Sequence, residues 1–72
     1  MLEWQAVDSK RITAEAYDPI AETIYVRFPN AVEWWYSACP PSVWEEFAAP
    51  ATSKGSYIKD VLNHRPNGKH SV

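Results

Sequence analysis

Apolar and polar positions alternate most clearly between residues 23 and 37. Ile24, Val26 and Phe28 fall on one side of an extended segment, and Val32, Trp34 and Tyr36 resume that side after Pro29-Asn30-Ala31. The other side carries Thr23, Tyr25, Arg27, Glu33, Trp35 and Ser37. A period of two on both arms predicts a β-hairpin. Its loop is expected to be closed by Phe28 and Val32, because Ala31 is not the glycine that a tight two-residue turn prefers. Across this hairpin Arg27 falls near Glu33 and Tyr25 beside Trp35. Residues 12–17 alternate in the same way, and Asp18-Pro19 supplies turn chemistry before the hairpin. Pairing Tyr17 with Thr23 sets Ala16 opposite Ile24, Ala14 opposite Val26 and Ile12 near Phe28. One apolar face then runs across three strands.

The period changes after Cys39-Pro40-Pro41, where two prolines stop any strand. Ser42 with Glu45 gives a capping-box spacing, and Val43, Trp44, Phe47 and Ala48 form a helical stripe that Pro50 ends. Ser53 is placed to cap a second helical segment, in which Tyr57, Ile58, Val61 and Leu62 recur at spacings of three and four. Lys59 and His64 stand near its end, where positive charge suits the helix dipole. Pro66-Asn67-Gly68 closes it. The expected fold is α+β: a three-stranded antiparallel β-meander, then a short α-helix and a second helical segment packed on one face. Residues 1–72 are read as a single domain, with a folded core over about 7–65 and a flexible tail over 66–72. The expected core is Ile12, Ala16, Ile24, Val26, Phe28, Trp34, Tyr36, Val43, Phe47, Tyr57, Ile58 and Val61.

Seventy-two residues lie near the lower limit for a core without staples, and four Trp, four Tyr and two Phe partly offset the small size. The single cysteine, Cys39, excludes an internal disulfide and fits a reducing compartment; beside Pro40, with no adjacent His or Lys, it reads as a buried small hydrophobe. No apolar run approaches the length of a membrane span, and Met-Leu-Glu-Trp lacks the features of a signal peptide. The expected location is the cytoplasm of a bacterial cell or phage-infected host, with no membrane contact. The net charge of −2 is uneven: carboxylates dominate residues 1–50, whereas Lys54, Lys59, Arg65 and Lys69 face only Asp60 in the remainder. An acidic chain is a poor general binder of phosphate backbones, but its basic end leaves room for a local patch.

Several segments, taken in order, resemble the KTSC domain. They are Ala16-Tyr17-Asp18-Pro19, Ile24-x-Val26-x-Phe28, Trp34-x-Tyr36, Cys39-Pro40, Val43-Trp44 and Ala51-x-Ser53-Lys54-Gly55-Ser56-Tyr57. The resemblance covers roughly residues 7–65. That family is named for its place at the C-terminus of some lysyl-tRNA synthetases, and it also occurs as small stand-alone proteins of bacteria and phages. It implies this fold and, through the synthetase context, RNA as a ligand class. Three positions depart from the family pattern: Trp34 stands for the first Tyr of a Tyr-x-Tyr element, Cys39 for a Val, and Ala31 for a turn Gly. The first removes a phenol hydroxyl from any recognition mechanism that uses one.

Residues that carry chemistry are sparse. His64 and His70 lack Cys or carboxylate neighbours at ligand spacing, so no metal and no cofactor are expected. Glu45 and Glu46 point in different directions on a helix, and Ser53-Lys54-Gly55-Ser56 lacks the spaced glycines of a phosphate loop. Neither an enzyme nor a small-molecule substrate is expected. The sharper expectation concerns the outer sheet face, with Tyr17, Tyr25 and Trp35 on neighbouring strands, Arg27 and Thr13 at one end, and Glu15 and Glu33 among them. These residues suit a protein partner or self-association, since Tyr, Trp and Arg dominate interfaces. The alternative is single-stranded RNA or tRNA stacked on the same rings, with Lys54, Lys59 and Arg65 on the phosphates. A purely structural use remains beside both, either cross-strand packing or cover from Trp4.

Overall fold

A computed structural model of the chain describes residues 2–70; Met1, Ser71 and Val72 lie outside the described residues. The fold is α+β, as expected, but its sheet has five strands rather than three. β1 (Gln5–Ala6), β2 (Ala14–Asp18), β3 (Thr23–Arg27), β4 (Glu33–Tyr36) and β5 (Asn67–Lys69) lie side by side in chain order, all antiparallel. Between β4 and β5 the chain forms α1 (Pro41–Ala48), α2 (Lys54–Asp60) and a single 3₁₀ turn (Leu62–His64). Both added strands are too short to show an alternation. β5 is also wholly polar, which is why residues 66–72 read as a tail. Three contacts anchor it: His70 N–H to the Glu33 carbonyl at 2.9 Å, Ser37 N–H to the Pro66 carbonyl at 2.8 Å, and Trp34 Nε1–H to Asn67 Oδ1 at 3.0 Å.

The β3–β4 hairpin has the expected register, with Tyr25 opposite Trp35 and Arg27 opposite Glu33. Its loop closes through Phe28 N–H to the Val32 carbonyl at 2.8 Å, and Ala31 takes a left-handed φ of 69°. The β2–β3 register is one residue away from expectation. Asp18, not Tyr17, pairs with Thr23. Asp18 keeps its turn role all the same, its Oδ1 accepting from Ile20 N–H at 3.0 Å and Ala21 N–H at 3.2 Å. Because side chains alternate, this slip reverses both faces of β2. Glu15 and Tyr17 now share the helix-covered face with Val26 and Ile24, while Ala14 and Ala16 join Arg27 and Tyr25 on the outer face. Contacts with the helices account for the shift: Tyr17 stacks on Trp44 at 5.2 Å, and Glu15 meets Lys54.

Helix α1 begins at Pro41 with no side-chain cap, so the capping box expected from Ser42 and Glu45 does not form. Pro at the first helical position needs no capping partner, because its missing N–H is one of the groups a helix leaves unbonded. Ser53 does cap α2, its Oγ accepting from Ser56 N–H at 3.5 Å. The core comprises Ile12, Ile24, Val26, Tyr36, Cys39, Phe47, Ile58 and Leu62, none more than 2 % exposed. Phe28, Trp34, Val43, Tyr57 and Val61, expected at its centre, are half-buried around it. Ala16 is buried, but on the opposite face. Burial pushes the Cys39 thiol up from its ordinary value, which keeps it protonated and unreactive.

Candidate functional site

The outer sheet face is a connected layer rather than a row of free rings. Arg27 is at its centre. Its Nε donates to Glu33 Oε2 at 3.0 Å and its Nη2 lies 2.9 Å from the same oxygen, while Trp4 covers the guanidinium at 4.4 Å from ring centre to Cζ. An Arg paired with a carboxylate and covered by an indole is less available to a phosphate. On the other side of Glu33, His70 Nε2 lies 3.9 Å from Oε1, and its ring meets Tyr25 edge-on at 4.9 Å. Trp35 sits opposite Gly68 and lies against its bare backbone; a Cβ on Gly68 would fall 2.8 Å from the indole Cζ2. Glycine is required there by this close approach, not by a turn.

Three of the seven residues expected to form a binding surface remain together here: Tyr25, Arg27 and Trp35. Tyr17 is a correction, since it lies on the helix-covered face with its hydroxyl donating to the Cys39 carbonyl at 2.7 Å. Lys54 is also removed from the surface. Only 8 % exposed, its ammonium donates to the Phe47 carbonyl, lies over the Phe47 ring at 4.7 Å and is 3.0 Å from Glu15 Oε1. That last contact is a buried ion pair. Arg65 folds its Nη1 onto the Ala38 carbonyl. Lys59 is exposed on α2, remote from the sheet's outer face.

Trp4 and His70 were not expected to complete this layer, although Trp4 was a candidate cover. Their signal was weak: each stands beside a strand of two or three residues. Among the described residues no group of three or more His, Cys, Asp or Glu is placed to hold a metal ion, and no helix is long and apolar enough to cross a membrane.

The sequence model of the KTSC domain matches residues 8–65. The chain belongs to the KTSC domain family. A protein of Tsukamurella paurometabola is 31 % identical to this KTSC domain over 61 residues, which span 85 % of this chain and 90 % of that protein. The crystal structure of a KTSC domain protein from Yersinia pestis is similar to it throughout, with a TM-score of 0.87 at 25 % identity. The match covers 99 % of this chain and 100 % of the other. The five-stranded arrangement with two helices on one face is therefore that of a known KTSC domain fold.

Proposed function

We propose that this KTSC domain is a small, non-catalytic binding module of a bacterial or phage-infected cytoplasm that docks a protein partner, or a second copy of itself, on the outer sheet face. The observation that supports this reading is the internal neutralisation of that face. Arg27 is paired with Glu33 and covered by Trp4, so the face offers a partner the half-buried surfaces of Trp4, Tyr25 and Trp35 rather than free cations. Aromatic and Arg side chains of this kind are the usual anchors of protein interfaces. RNA stacked on the same rings is the alternative, and it has fewer supports than the sequence offered: Tyr17 is on the other face, Lys54 is buried, and Arg65 is bonded to the main chain.

Sedimentation velocity over a range of protein concentrations, together with capture from bacterial lysate, tests the reading. The expected result is association that depends little on salt and is lost in Trp35→Ala. Equal association by wild type and Trp35→Ala overturns it. Titration with a labelled single-stranded RNA separates the alternative, because phosphate-driven affinity falls steeply from low to physiological salt.

A further inference from the structure

A concavity of the domain lies away from the aromatic face, between residues 5–11 and the loop that joins α1 to α2. It encloses about 700 Å³ and is open to solvent. One of its walls is a free sheet edge. β1 is the first strand of the sheet, and Val7 N–H donates to the Thr13 carbonyl at 2.9 Å. Bonded and non-bonded pairs alternate along an antiparallel ladder, so Ala6, opposite Ala14, turns its own N–H and C=O away from β2 and outward. An outward donor and acceptor on a sheet edge are what an added strand pairs with.

The charges on this groove are arranged differently from those on the sheet face. Lys10 and Arg11 are exposed on its rim, and neither has a carboxylate within ion-pair distance among the described residues. Arg11 is positioned rather than loose. Its backbone N–H donates to Ser9 Oγ at 3.1 Å, and its stem passes over the bare backbone of Gly55, where a Cβ would touch it at 3.7 Å. Asp8 is the exposed carboxylate of the wall. Glu15 and Lys54, both more than nine-tenths buried, hold each other on the floor.

We propose that this groove receives an extended acidic segment of a protein partner, which pairs with the sheet edge at Ala6 and sets its carboxylates against Lys10 and Arg11. The proposal stands independently of the aromatic face, and its test keeps the two apart. The probe is a blocked, labelled hexapeptide that alternates Val with Asp or Glu. Its counterpart carries Asn and Gln instead, and both are titrated by fluorescence anisotropy against the full chain. Saturable binding of the acidic peptide is expected, with the neutral one at least about tenfold weaker, the change that loss of a close charge contact brings. The double variant Lys10→Glu, Arg11→Glu is expected to lose a similar factor, and Trp35→Ala to lose none. Amide exchange at Ala6 should slow when the peptide binds. Absence of saturable binding, binding untouched by the charge reversal, or protection at Asn67 and Lys69 in place of Ala6 would each overturn the proposal. So would single-stranded RNA competing where the acidic peptide fails, which would give the groove to a phosphate backbone.

Discussion

On one face of the sheet Ile24, Val26 and Tyr36 lie beneath Phe47, Ile58 and Leu62 and are 0–2 % exposed; one residue along the same strands, Tyr25 and Trp35 on the other face stay half-buried. The covered face excludes water with two helices, of eight and seven residues, from the chain between β4 and β5. The outer face has only strand termini to work with: Trp4 before β1, His70 after β5, and the gap at Gly68 into which Trp35 fits. Apolar burial is roughly proportional to area removed from water, so stability belongs mainly to the first face. The second gains order from an Arg–Glu pair and edge-on rings, contacts worth about 1 kcal/mol or less each near the surface. A domain can spare such a face for recognition.

Truncation on each side gives the sharpest contrast. Phe47→Ala removes a fully buried ring and is expected to cost about 3–5 kcal/mol, enough to leave little folded protein by circular dichroism. Trp35→Ala should leave the helices intact and lower the denaturation midpoint far less. Equal losses would mean that the outer face carries as much of the fold as the core. The buried Glu15–Lys54 pair belongs to the covered side as well. Lys54→Met leaves the buried Glu15 without its partner, with an expected cost of about 3–5 kcal/mol, whereas the double variant with Glu15→Leu should recover most of it. A double variant no more stable than Lys54→Met would show that the pair itself, not its isolated charge, supplies the stability.

Gly68→Ala tests the outer face from beneath. The added Cβ falls 2.8 Å from Trp35 Cζ2, inside any tolerable contact, so the indole or β5 must move. An overpacking cost of about 1–3 kcal/mol is expected, together with faster amide exchange along 67–70. Unchanged exchange there would mean that Trp35 is not seated on β5.

The difference between the faces also explains what was legible in the sequence. The β3–β4 hairpin was readable because both arms alternate and share large side chains, so Tyr25–Trp35 and Arg27–Glu33 followed from parity alone. The β2 register was not. Ala14 and Ala16 are small enough to suit either face, and a slip of one residue costs nothing locally when Asp18 can still bond the turn amides. What decided the register was tertiary: Trp44 waiting for Tyr17, and Lys54 for Glu15. Of the candidate site, the residues on the well-marked hairpin were found. Those on β2, on α2 and at the strand termini depend on contacts between segments far apart in the chain. Neither propensity nor spacing encodes these contacts.

A titration probes the covered side through its phenols. Tyr57, packed against Phe47 at 5.6 Å on the helical side, donates its hydroxyl to Glu46 Oε1 at 2.8 Å. Burial first, and then Glu46, push its pKa from 10.0 up to about 12. A folded-state pKa above the unfolded one means stability present in full below pH 10 and lost as the pH climbs toward 12, because the folded chain holds the proton more tightly. Burial raises Tyr17 and Tyr36 on the same side of the sheet as well. The denaturant midpoint should therefore fall through this alkaline range. In Tyr57→Phe it should start about 1 kcal/mol lower at neutral pH, where the hydrogen bond is lost, and fall less steeply thereafter. An identical alkaline slope in the variant would show that Tyr57 is not the group responsible.

The smallest effect comes from the loop that joins the two arms of the readable hairpin. Ala31 holds φ at 69°, a region in which a Cβ crowds the following carbonyl at a cost of about 1 kcal/mol. Glycine there meets no such crowding but has more freedom to lose on folding, so the two effects oppose each other. Relief of strain should win, because Phe28 and Val32 fix the loop ends whichever residue is present. Ala31→Gly is expected to raise stability by about 0.5 kcal/mol, read as a small rise in thermal midpoint with amide exchange on both faces of the sheet unaltered in pattern. A fall in midpoint would mean that the loop's own entropy outweighs its strain, and that the hairpin is held by its cross-strand pairs rather than by its turn.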